Sequence, residues 1–148
     1  MDTHKTKYRE MEKIIVRVLD YTENPGPRFI SQGKFSGEDF YQKVLNEKMA
    51  DCIRHDMAME VWLDGTAGYP SSFLDQAFGE LVYDYTESEA RKRVEFVTTT
   101  YKRRVTKLYE ETYPQWEKRR LTEPNLHDGD QYARYYYLTE NGEISYRQ

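Results

Sequence analysis

A single cysteine, Cys52, stands in the 148 residues, which excludes an internal disulfide and any cysteine-based zinc site within one chain. No apolar run approaches the length that spans a membrane, and the polar start Met1-Asp-Thr-His-Lys-Thr-Lys-Tyr8 lacks the apolar core of a signal peptide. The expected location is therefore cytoplasmic, which one unpaired thiol also suits. A Gly-rich phosphate loop, a metalloprotease motif and a nucleophile elbow are missing as well. These absences leave enzyme catalysis without support and give no cofactor or metal to expect. Mean hydropathy is low, at −0.97, and 32% of residues are charged, a balance shared with disordered chains. Disordered chains are poor in aromatics, however, and this one is 15% aromatic with 14 tyrosines. It reads as a folded protein with a highly polar surface. Its length suits one domain over residues 12–120, preceded by a polar lead, 1–11, and followed by a tyrosine-rich extension, 121–148.

Charge is unevenly placed. Residues 91–120 carry 10 Lys and Arg against 4 Asp and Glu, although the whole chain has a net charge of −4. That local excess needs its own explanation.

Along the chain, Glu12–Asp20 alternates β-branched residues and reads as a strand that Pro25, Gly26 and Pro27 then stop. Arg28-Phe-Ile30 suits a short edge strand. Ser36-Gly-Glu-Asp39 starts a helix, with Ser36 at the N-cap, acids in the positive first turn and a staple between Phe35 and Phe40. It runs to about Arg54 and buries Phe40, Tyr41, Val44, Leu45, Met49, Cys52 and Ile53. Ala58–Asp64 is a strand of mixed pattern, suited to a central place with contacts on both faces. After it, Phe73, Leu74, Ala77, Phe78, Leu81 and Val82 recur at helical spacing along one side of a second helix. Ser88–Arg93 reads as a polar connection and Val94–Thr100 as a strand. Lys102–Tyr113 is helical until Pro114 ends or kinks it, with a further turn over 115–120. Leu121–Asp130 reads as a loop, and Gln131–Thr139 and Glu143–Arg147 flank Asn141-Gly142, a strong hairpin signal.

Gly26-Pro-Arg28, Ser36-Gly-Glu38, Val61-Trp-Leu-Asp-Gly65 and above all Gly68-Tyr-Pro-Ser-Ser-Phe-Leu-Asp-Gln-Ala-Phe-Gly-Glu-Leu81 resemble the bacterial family of STAS-like domains of unknown function. The element order is similar to that of STAS domains, the fold of bacterial anti-sigma factor antagonists. Residues 12–85 carry the resemblance well, and 94–113 only by element order. It implies an α/β fold: a four- or five-stranded mixed sheet packed by about three helices, here with a C-terminal hairpin. It also implies a non-enzymatic regulatory module that docks a GHKL-type ATPase or kinase through Gly68, Tyr69, Pro70, Ser71, Ser72 and Phe73 and the exposed side of the helix that follows. In those antagonists a partner kinase phosphorylates the second of two adjacent hydroxyls. By position this makes Ser72 the phosphoacceptor candidate, with Ser71 beside it. Pro70 stands where that family has Asp, and Phe73 where it has Gly, changes that docking tolerates more readily than phosphorylation does.

Other readings stay open. One of the two serines can cap the helix, since Pro70 presets the approach. The basic segment, with Arg91, Lys92, Arg93, Lys102, Arg103, Arg104, Lys107 and 118–120, either meets nucleic-acid phosphates or forms a solvated face that pairs with the acidic first half. The C-terminal hairpin offers a route to homo-oligomers by extending a neighbour's sheet. Asp20, Asp64 and Asp75 are read as loop and cap residues rather than an acid–base set. Asp51, His55 and Asp56 are read as a solvated helix end, and His127-Asp-Gly-Asp130 as a turn.

Overall fold

The computed structural model of the chain describes residues 11–127 and 135–147. Strands β1 (Lys13–Arg17), β2 (Ala58–Trp62) and β3 (Val94–Val97) form a parallel sheet in that order, with β2 central. Register aligns Ile14 with Met59 and Val16 with Val61, and these in turn with Val94 and Phe96. One face is therefore apolar, and its central residues are buried.

The described residues cover the other face only in part, and the contacts that Ala58–Asp64 makes there are with side chains of the neighbouring strands. Lys13 Nζ bridges Glu60 and Glu95 at 3.1 and 3.0 Å, Ile15 and Trp62 remain 49% and 38% exposed, and the Arg17 guanidinium lies 5.7 Å from the Trp62 ring centre. Parallel sheets normally have both faces covered. Here both crossovers step the same way, from β1 to β2 to β3, so the right-handed rule puts their helices on the same face.

Among the described residues this sheet has three strands, all parallel, where four or five in a mixed sheet were expected. Arg28–Ile30 contributes no strand because side chains take its backbone amides. Phe29 N–H donates to the Gln32 side chain and Ile30 N–H to Glu38, at 3.0 and 2.9 Å, and a single 3-10 turn follows over Ile30–Gln32.

β1 runs into one helical turn, α1 (Val18–Tyr21). The next helix begins at α2 (Gly37–Phe40), passes through a π turn (Tyr41–Leu45) and ends as α3 (Asn46–Arg54). Ser36 caps it as expected, its hydroxyl accepting from Asp39 N–H at 2.9 Å. The Phe35–Phe40 staple is replaced by a shared contact. Phe35 has φ of 56° and is 44% exposed, and both rings pack instead on Tyr21, at 5.8 and 5.0 Å.

The central helix is α4 (Ser71–Tyr85). The expected polar connection after it is a helix, α5 (Glu87–Arg93), in which acids in the first turn and bases in the last match the helix dipole. The Thr86 hydroxyl caps it by accepting from Glu89 N–H at 3.2 Å.

After β3 come α6 (Lys102–Lys107), a π turn (Leu108–Thr112) and α7 (Tyr113–Thr122). Pro114 does not end this run. It falls in the first turn of α7, directly after the π turn, where a missing N–H costs least. The C-terminal strands β4 (Tyr135–Leu138) and β5 (Ile144–Arg147) pair antiparallel in a separate ribbon, Tyr135 opposite Arg147. The N-terminal half of the expected first hairpin strand lies partly outside the described residues.

α4 and α7 meet face to face at Gly79. A β-carbon there would stand 2.2 Å from the Trp116 indole, so only glycine admits this approach. Alanine normally stabilises a helix interior over glycine by about 0.8–1 kcal/mol. Gly79→Ala is expected to reverse that sign and cost a net ~1–3 kcal/mol through overpacking, measured by denaturant unfolding.

Candidate functional site

β2 leads through Leu63 and a turn into the start of α4. Tyr69 anchors this turn from inside: it is buried, its hydroxyl donates to the Leu63 carbonyl at 2.7 Å, and its ring meets Tyr101 edge-on at 4.8 Å. Phe73, one turn on, is wholly buried and stacks on Phe40 at 5.7 Å. The helix starts are wedged together, because a β-carbon on Gly37 would stand 2.3 Å from the Phe73 carbonyl oxygen. Of the six residues expected to dock a partner, Tyr69 and Phe73 are therefore core. Pro70 and Ser71 are exposed, and Gly68 and Ser72 are half-buried.

Neither serine caps the helix. α4 begins one residue earlier than the serine caps would require, so Pro70 is the N-cap, with no side-chain cap hydrogen bond. Ser71 and Ser72 occupy the first turn itself. Capping by one of them is thereby corrected, and the physical cause is that Pro70, at φ −57° and ψ 137°, takes the position without any side-chain acceptor.

The expected exposed side of the helix is also absent. Every residue of α4 from Phe73 to Tyr85 except Asp75 is buried. The apolar stripe faces the sheet, where Phe78 meets Phe96 at 4.8 Å, while α7 and the C-terminal segment cover the rest.

Under that cover lies a polar stripe, Gln76, Glu80 and Asp84, spaced by four. His127 sits against it, 3.1 Å from Asp84 Oδ1 and 3.8 Å from Glu80 Oε1, with its ring stacked on Tyr135 at 4.2 Å. Asp84 also accepts the Tyr41 hydroxyl. The Asn46 side chain pairs with both backbone groups of Tyr136, at 2.9 and 2.8 Å, and so clamps β4 to α3. Among the described residues Glu80 Oε2 has no hydrogen-bond partner, and Glu80 and His127 line a cavity of about 130 Å³. Desolvation pushes the Glu80 carboxyl well above its ordinary range, against a smaller opposing effect of His127. Its neutral form is the one this site favours. The same burial raises the Tyr41 and Tyr85 phenols, and pushes the Cys52 thiol up to about 12, which leaves it a core residue without thiolate character.

The sequence reading passed over this stripe. Its signal was available in the spacing, three polar residues four apart within an otherwise apolar helix. His127, read as part of a turn, is buried; the remainder of that motif, 128–130, lies outside the described residues.

The carboxylates set aside earlier do not converge. Asp64 caps the loop after β3, taking bonds from the Thr98 hydroxyl and the amides of Thr99 and Thr100 that hold its carboxyl below the usual range. Asp75 holds Arg28, Thr112 and Trp116, and Asp20 is exposed. Asp51 pairs with Arg54, and Asp56 with Arg93.

Much of the basic segment is bound internally. Arg91 pairs with Glu87, and Arg93 is buried on Glu89, Asp56 and the carbonyls of Cys52 and Met57. Lys102 and Arg103 are exposed, and Lys92 and Arg104 half-buried. Among the described residues no group of three His, Cys, Asp or Glu is placed to hold a metal, and no helix is long and apolar enough to cross a membrane.

A parallel sheet covered by helices on one face, with a hydroxyl-bearing turn at the start of its central helix, defines an α/β domain. Residues 36–101, from the α2 cap to Tyr101, match the model of a family described as STAS-like domain of unknown function, so that segment is similar to this family. No curated protein and no solved structure matches the chain.

A raised carboxyl pKa stabilises the fold fully below the unfolded value, 4.5, and that contribution is lost as pH rises toward the folded value. Glu80→Gln removes the titration while keeping the shape. The variant is expected to be more stable than wild type at neutral pH, with the gap closing as pH falls toward 4.5, in unfolding curves measured across that range.

Proposed function

We propose that the protein is a non-enzymatic regulatory module that docks a partner protein at the outer end of α4, around Pro70, Ser71 and Ser72. The observation that carries this reading is the state of the two serines. They stand in the first turn of a 15-residue helix and neither hydroxyl serves its cap, although serine at a helix start usually does. The rest of the helix is sealed in the core, so a partner meets only this end, together with the loops that flank it.

The STAS-like match over residues 36–101 supports the same reading by resemblance, with a GHKL-type ATPase or kinase as the partner class. Phosphorylation of Ser72, with Ser71 as the alternative acceptor, would place about −1.5 to −2 charges on the positive end of the helix. The helix tolerates that charge, whereas a partner seated there with an apolar or acidic surface does not. The turn then acts as a switch on docking while the fold stays intact. Pro70 keeps the approach rigid, and the buried ring of Phe73 lies on the inner side, away from the partner.

Wild type, Ser72→Ala and Ser72→Asp, each co-purified from the native host with recovered partner quantified by mass spectrometry, test this reading. Alanine should retain the partner and aspartate should reduce recovery by about tenfold, the equivalent of ~1.4 kcal/mol. Equal recovery with all three forms rejects docking at this turn. The same spectra report whether Ser71 or Ser72 carries phosphate.

A further inference from the structure

Between the start of α4 and the α6–α7 run lies a cleft of about 280 Å³, lined by Arg28, Ser71, Asp75, Arg104, Lys107 and Glu111. Three cations from two separate parts of the chain reach it. Asp75 is already engaged, receiving Arg28 Nη1 at 2.7 Å, Thr112 Oγ1 at 2.9 Å and Trp116 Nε1 at 3.3 Å. This network fixes Arg28 in the cleft wall through one nitrogen, which also donates to Gln76 at 3.1 Å. Arg104 and Lys107 have no carboxylate within ion-pair distance among the described residues, although Glu111 stands one turn from Lys107. With Asp75 pairing Arg28 and Glu111 on the same lining, three cations face two acids, and the excess charge of +1 favours an anion. Ser71 adds a hydroxyl from the start of α4, and the buried Leu74 and Leu108 back the cleft.

We infer that this cleft binds a phosphorylated small molecule. A phosphoryl group offers several oxygens to donors arriving from different directions, which suits an arginine fork, an ammonium and a hydroxyl better than a single carboxylate does. No partner protein takes part, so this inference stands or falls separately from docking at Ser72.

The probe is inorganic pyrophosphate, titrated calorimetrically into the full chain at matched ionic strength, with the protein first shown by mass spectrometry to be unphosphorylated. Saturable binding is expected. Arg104→Ala/Lys107→Ala should weaken it by at least about tenfold, and Glu111→Gln should tighten it by about threefold by removing the one free acid in the cleft. Unchanged denaturant midpoints in both variants would confirm intact folding. Lys102→Ala/Arg103→Ala removes two exposed cations of the same helix that do not line the cleft, and should leave binding unchanged. Absence of saturable heat with wild type, wild-type affinity in Arg104→Ala/Lys107→Ala, or equal weakening in Lys102→Ala/Arg103→Ala overturns the assignment.

Discussion

Everything else in the molecule is arranged around the burial of one helix, α4. From Phe73 onward it meets the sheet on one side, the α2–α3 run on another, α7 on a third and the C-terminal ribbon on a fourth. Each fully buried Phe, Leu or Val contributes about 1.5–3 kcal/mol relative to exposure, so the stripe Phe73, Leu74, Phe78, Leu81 and Val82 is a large share of what holds the domain. The contact that lets α7 close over the third side is a flat indole against a glycine. Trp116 lies on Gly79 where any side chain would hold the helices apart.

Because α4 is enclosed, its polar residues become structural. Gln76, Glu80 and Asp84 form a line under the α7 and C-terminal cover, and His127, Tyr135 and Tyr136 reach in to it or to its neighbours. A buried carboxylate without a partner is costly, and the protein meets this in two ways. Asp84 is satisfied by Tyr41 and His127, whereas Glu80 is held toward its neutral form. The ribbon that the sequence presents as an appendage is in this way fastened to the domain through Asn46 and the Asp84 cluster.

The outer face of the sheet has the reverse character. There, among the described residues, a lysine between two glutamates and an arginine over Trp62 take the place of a helix layer. Only the first turn of α4 breaks through to the surface. Its serines, the anchored Arg28 and the free cations of α6 gather there, and both functional readings converge on that end.

The sequence by itself determined the parts of the fold that local chemistry decides. Ser36 with Glu38 and Asp39 announced a helix start, the β-branched run at Ile14–Val16 a strand, and the Phe73–Val82 periodicity a helix with an apolar side. The motif around Gly68–Leu81 also pointed to the STAS-like family. Tertiary structure decided the rest, because those outcomes depend on residues far apart in the chain. Arg28–Ile30 has strand-like residues, yet Glu38 and Gln32 take its amides before a neighbouring strand can. Ser71 and Ser72 are ordinary capping residues, yet the backbone turns helical at the residue after Pro70 and makes them first-turn positions. The outer side of α4 looked free because its polar residues resemble a solvated face. Only the three-dimensional placement of Trp116, more than thirty residues away, shows that the same face is covered.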